Sequence, residues 1–93
     1  EMDSIATACL EYEALNINGE PPASISALIT GLTAANSIDG TAHNNFINSG
    51  RSTTSGIMDP WGVAYGYSQT SRAITCTPKD PSGASMTQVT RNF

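Results

Sequence analysis

The chain predicts an α+β domain: an N-terminal helix packed on a small antiparallel β-sheet, with a short second helix and a long polar loop. Three observations predict it. Apolar residues recur at helical spacing through residues 3 to 16. From residue 63 onward short runs alternate apolar and polar, as half-buried strands do. Between residues 33 and 56 neither period holds. Residues 1–93 are read as one domain, because no repeat or linker divides them and the length suits one small core.

In the first helix, Ile5, Ala8, Cys9, Tyr12 and Leu15 share one face, while Glu11, Glu13 and Asn16 face outward. Asn16-Ile17-Asn18-Gly19 ends it with residues that tolerate left-handed geometry. Pro21-Pro22 then forces an extended passage. Ser24 is the expected cap of the second helix, whose apolar face is Ile25, Leu28, Ile29 and Leu32. The segment from Thr33 to Gly56 is rich in Asn, Ser, Thr and Gly, with Ile38, Phe46 and Ile47 as its only apolar anchors. Phe46 and Ile47 are expected to pin it against the first helix.

The last third opens on Asp59-Pro60-Trp61-Gly62, which carries the residue preferences of a type I turn. Val63, Tyr65 and Tyr67 alternate after it and start a strand. Trp61 is the only Trp, and in a chain so short of large apolar residues it reads as a core anchor rather than a stacking platform for sugars or bases. Segments 63–68 and 72–77 form a predicted hairpin around Gln69-Thr70-Ser71, with Ile74 and Cys76 on one face. A third strand is expected over 85–91, although Met86 and Val89 break strict alternation.

Composition narrows function. Hydrophobic residues make up 39% and charged ones only 13%, the remainder being largely Ser, Thr, Asn and Gly. That mixture suits the neutral, loop-rich surface of an extracytoplasmic domain. The net charge is −4, and the four cations, Arg51, Arg72, Lys79 and Arg91, are scattered. A nucleic-acid partner needs clustered cations, so none is expected, and an anionic lipid surface is disfavoured for the same reason. No apolar run is long enough for a membrane span or a signal peptide, so the chain is expected to be a processed product or to have lost something upstream.

Cys9 and Cys76 lack any zinc-type spacing. They are either two buried thiols or one disulfide tying the first helix to the sheet. The disulfide is favoured because both fall on predicted inward faces. Closing so long a loop would stabilise the fold by about 4 kcal/mol on loop-closure entropy.

Catalytic chemistry finds little support. His43, the only His, lies in the Asn-rich loop and is expected to be exposed and without a role. Asp59 is explained by its turn, Glu11 and Glu13 by solvent, and no Gly-rich phosphate loop exists. Ser37-Ile38-Asp39-Gly40-Thr41 and Asp80-Pro81-Ser82-Gly83 each offer one carboxylate, fewer than calcium commonly takes, and read as turns. No catalytic, cofactor-binding or metal-binding residue is assigned.

The order of these parts resembles the soluble domain of type II secretion major pseudopilins and related type IV pilin-like proteins. The likeness runs from about residue 3 to residue 77: a helix with Tyr12, a turn ending in Pro22, a short helix around Leu28 and Leu32, a polar loop, then Asp59-Pro60-Trp61-Gly62 with Tyr65 and Tyr67. The resemblance implies a subunit of a helical filament, held in the inner membrane by a hydrophobic N-terminal helix and serving secretion or related envelope transport. It implies self-assembly with other pilin-like subunits, an extracytoplasmic location and no catalysis. Asp59, Pro60, Trp61, Gly62, Tyr65 and Tyr67 would be structural residues. Secretion pseudopilins of this kind bind calcium in an acid-rich C-terminal loop. Residues 77–90 here hold only Asp80, so that ion is not carried over. The alternative is a free-standing extracytoplasmic module that binds a glycan or a protein.

Overall fold

The computed structural model describes residues 2–47, 52–53, 56–57 and 63–93, with side chains considered for 2–47 and 63–93. Asp59, Pro60, Trp61 and Gly62 lie outside the described residues, as does Arg51.

The architecture is α+β. Helix α1 (Met2–Leu15) and the four-residue helix α2 (Ala27–Thr30) precede two short antiparallel strands, β1 (Ser52–Thr53) and β2 (Gly56–Ile57). Strands β3 (Gly66–Ser68), β4 (Ala73–Cys76) and β5 (Val89–Asn92) then form a three-stranded antiparallel sheet in sequence order, with β4 in the centre. Among the described residues no helix is long and apolar enough to cross a membrane.

Helix α1 forms where Ala, Leu and Glu dominate, all residues that lose little side-chain freedom in a helix. Ile5, Ala6, Ala8 and Cys9 are its buried residues, and Tyr12 packs beside them. The helix stops where Asn16 turns its side chain back, accepting the Asn18 amide at 3.2 Å, and Gly19 takes φ +68°. Among the described residues Ile25, Leu28, Ile47 and Ile74 join the core. Phe46 packs on it with its ring 5.3 Å from that of Tyr12, so Phe46 and Ile47 do pin the polar segment to α1.

Several details differ from the sequence reading. Helix α2 begins after Ser26, not Ser24, and Ser26 gives it no side-chain cap; Ser24 and Ser26 bond each other through their hydroxyls at 2.8 Å. Those two hydroxyls satisfy each other, so neither turns to the helix amides. The described part of the polar segment up to Ile47 carries more structure than its composition suggested. A 3-10 turn spans Ala34–Asn36, and bridges at Asn16–Ser37 and Leu32–His43 stitch the segment to both helices. Ile38 is no anchor. It is 68% exposed, because its backbone pairs with Leu15 while buried Ser37 takes the inward position beside it. The third strand is shorter and later than 85–91, since residues 78–86 close their own small turn through the Lys79–Ser85 bridge. Val63 also departs from the expected apolar face and is exposed, whereas Tyr65 and Tyr67 pack on the core.

Candidate functional site

The chemically richest part of the molecule is a column of side chains between α1 and the sheet. Tyr67 stands on β3 opposite Ile74 of β4, and both face α1. The Tyr67 hydroxyl donates to the carbonyl of buried Pro22 at 2.5 Å. Gln69, in the turn after β3, donates to the carbonyl of Pro21 at 2.8 Å. The extended Pro21-Pro22 passage is therefore held by two side chains from one hairpin. Neither proline can donate, so only their carbonyls are available, and both are met.

Cys9 lies beside the same tyrosine. Burial pushes the Cys9 thiol up to about 11, only partly offset by Tyr67 and Arg72. Burial also raises Tyr67 well above the ordinary phenol range, with Cys9 adding to the effect. Both groups are protonated at neutral pH, and a protonated thiol is a poor nucleophile.

No disulfide joins Cys9 and Cys76 in this structure. Thiol counting tests this arrangement. The unreduced protein should show two thiols after denaturation, and Cys9 should react with iodoacetamide only once the chain is unfolded. A count of zero would reveal a cystine.

The column ends in an ion pair. Arg72 closes the β3–β4 turn with φ +52°, and its guanidinium makes a two-pronged bond with Glu13 of α1. Its Nε also donates to the Phe93 carbonyl oxygen at 2.8 Å, and its guanidinium carbon lies 5.0 Å from the centre of the Phe93 ring. That ring stacks in turn on Tyr67, the centroids 6.0 Å apart and the planes 3° from parallel. Glu13 is thus tied to the sheet, not free in solvent as the helical period suggested. Neither Arg72 nor Phe93 carried a sequence signal for this role, because a non-glycine residue with positive φ is set by its surroundings.

Arg72 holds the Glu13 carboxyl below its ordinary value, chiefly by hydrogen bonding. A carboxylate with a depressed folded pKa stabilises fully above the unfolded value, about 4.3, and loses that contribution as pH falls through the folded one. Glu13→Gln should therefore melt below wild type at neutral pH, with the gap closing below about pH 4. Thermal unfolding followed by circular dichroism across pH 2–7 checks it (an unchanged gap at low pH would show that the pair is not the cause).

The two acidic turns bind their own backbone. Asp39 accepts the Thr41 amide at 3.0 Å and contacts His43 Nε2 at 2.9 and 3.1 Å, and its carboxyl is lowered mainly by the Thr41 amide. His43 is thus half-buried and paired, where an exposed loop histidine was expected. Asp80 accepts from the Ser82 hydroxyl at 2.6 Å and from the amides of Ser82 and Ala84, and its carboxyl is lowered by the Ser82 hydroxyl first. Among the described residues no three His, Cys, Asp or Glu side chains stand together as a metal would require.

Two surface features remain. An open groove runs along α1 between Asp3, Thr7 and Glu11 on one side and Phe46 and Ile47 on the other. On the outer face of α1 Leu10 and Ala14 are exposed, and past the end of the helix Ile17 and Ile38 flank the Asn16–Ser37 bridge. Leu10, Ile17 and Ile38 are 46, 56 and 68% exposed.

No family model matches the chain, and no similar curated protein or solved structure was found.

Proposed function

We propose that the chain is the extracytoplasmic part of a filament-forming structural subunit of the pseudopilin or type IV pilin-like kind, serving protein secretion or related envelope transport. The observation that carries the reading is the two-sided use of α1. Its inner face locks onto the sheet through Ile5, Cys9 and the Glu13–Arg72 pair. Away from the sheet, Leu10 on the helix and Ile17 and Ile38 past its end are exposed. A helix-on-sheet body with exposed apolar residues on its helix and just beyond it suits side-by-side packing of identical subunits.

Among the described residues the best candidate groups are poorly placed for catalysis. The Cys9 thiol is buried and protonated, and His43 is engaged by Asp39 in a turn. In this reading the full-length protein is held in the inner membrane by a hydrophobic N-terminal helix. The coding sequence ahead of Glu1 tests it. A short basic leader, a cleavage site and about 20 apolar residues are expected there. A conventional secretory signal peptide would overturn the reading. It would favour instead a free-standing binding module, for which the groove between Phe46 and Glu11 is the specific support.

A further inference from the structure

We infer that β5 is an exchangeable strand, which leaves its own sheet and completes the sheet of a second copy of this chain, so that two copies form a reciprocal dimer. The inference does not rest on the filament reading, because it concerns the soluble chain alone.

The first support is how β5 is held. None of Val89, Thr90, Arg91 and Asn92 is buried. The strand is kept in place by its backbone ladder to β4, by Arg91 Nε on Asp3 at 2.7 Å, and by the Phe93 ring between Tyr67 and Arg72. Each contact joins β5 to a group on α1, β3 or β4. A second copy presents the same groups in the same places, so an incoming β5 makes the same ladder, the same Asp3 ion pair and the same ring stack. Exchange of identical elements changes partners without changing contacts.

The second support is the connection. Residues 77–88 join β4 to β5, and all of 81–88 are exposed. Their backbone bonds are confined to the small turn: Asp80 N to Ala84 O, Gly83 N to Asp80 O and Met86 N to Pro78 O. Opening that turn releases a connector that extends to about 40 Å, more than the radius of a domain this size.

The third support is what β5 leaves behind. β4 is the central strand, and losing β5 bares one whole edge of it. A bare edge beside an apolar face recruits another strand. The strand that fits best is the one with the matching register: Cys76 with Val89, Thr75 with Thr90, Ile74 with Arg91 and Ala73 with Asn92.

Thr75 and Thr90 are opposite each other in that ladder, so Thr75→Cys with Thr90→Cys makes an oxidisable reporter of which β5 lies on which β4. Equal amounts of unlabelled and 15N-labelled double variant are mixed at millimolar concentration and held briefly in mild denaturant to loosen β5. The mixture is returned to native buffer, diluted and oxidised. Mass spectrometry of the 75–90 cross-linked peptide is the readout. Hybrid peptides carrying one label are expected, approaching about half of the total for a fully exchanged pool. Peptides that remain isotopically pure overturn the inference. If the double variant does not fold, the unmodified chain is given the same treatment and read by native mass spectrometry. Mixed-isotope dimers that survive dilution for hours support exchange, and monomers alone, or dimers that separate at once, overturn it.

Discussion

Gly31→Ala is expected to be the most damaging single-methyl change in the described part of the chain. Gly31 follows α2 with φ +78° and ψ −155°, a region that side-chain-bearing residues essentially do not occupy. A Cβ built there would lie 1.9 Å from the carbonyl oxygen of His43 and 2.5 Å from the Asn44 Cα. Both are backbone atoms, and the same His43 oxygen accepts the Leu32 amide at 2.6 Å. The chain cannot yield at one point without breaking the Leu32–His43 bridge. Backbone strain alone costs about 1–3 kcal/mol, and the lost bridge adds to it. The total is expected to exceed about 3 kcal/mol, a large share of a small domain's stability. Urea unfolding with a midpoint unchanged within error would refute this account. Gly40→Ala is the matched control, because Gly40 also has positive φ but nothing lies within 4 Å of its added Cβ.

The second large effect is Ile74→Ala. Ile74 is fully buried at the centre of β4 and faces α1, in one core cluster with Ile5, Cys9 and Leu28. Truncation removes transfer free energy and leaves a cavity, so a loss of about 2–5 kcal/mol is expected. Ile38→Ala, the same chemical change at a site 68% exposed, should stay within about 0.5 kcal/mol of wild type. Equal losses at the two positions in denaturant titrations would contradict the burial described above.

The contrast between these two isoleucines shows where the sequence was legible. Periodicity located α1 to within a residue at each end, and it placed Ile5, Ala8, Cys9, Leu28 and Ile74 inside. Those positions are set by the helical and strand periods alone, which local spacing reveals. Ile38 defeated the method because its orientation depends on pairing with Leu15, a contact made across the fold. Glu13 did so for a similar reason. Its helical position faces outward, but the long Arg72 side chain reaches it from the sheet. The Asp59 to Gly62 turn, the most distinctive local pattern, lies outside the described residues. Tyr65 and Tyr67 do pack on the core, and Tyr67 does more than start a strand, since its hydroxyl holds the Pro22 carbonyl.

The Leu32–His43 bridge has a consequence for how this protein can change. Its two backbone bonds, 2.6 and 2.9 Å long, bring the ends of the intervening segment together independently of what lies between them. Around Gly40 and Thr41 the segment is exposed. Lengthening a loop whose ends are already clasped costs only about 0.6 kcal/mol per doubling. Foreign peptides inserted there would leave the core untouched, so this corner is where lineages can diversify and where an engineer would graft an epitope.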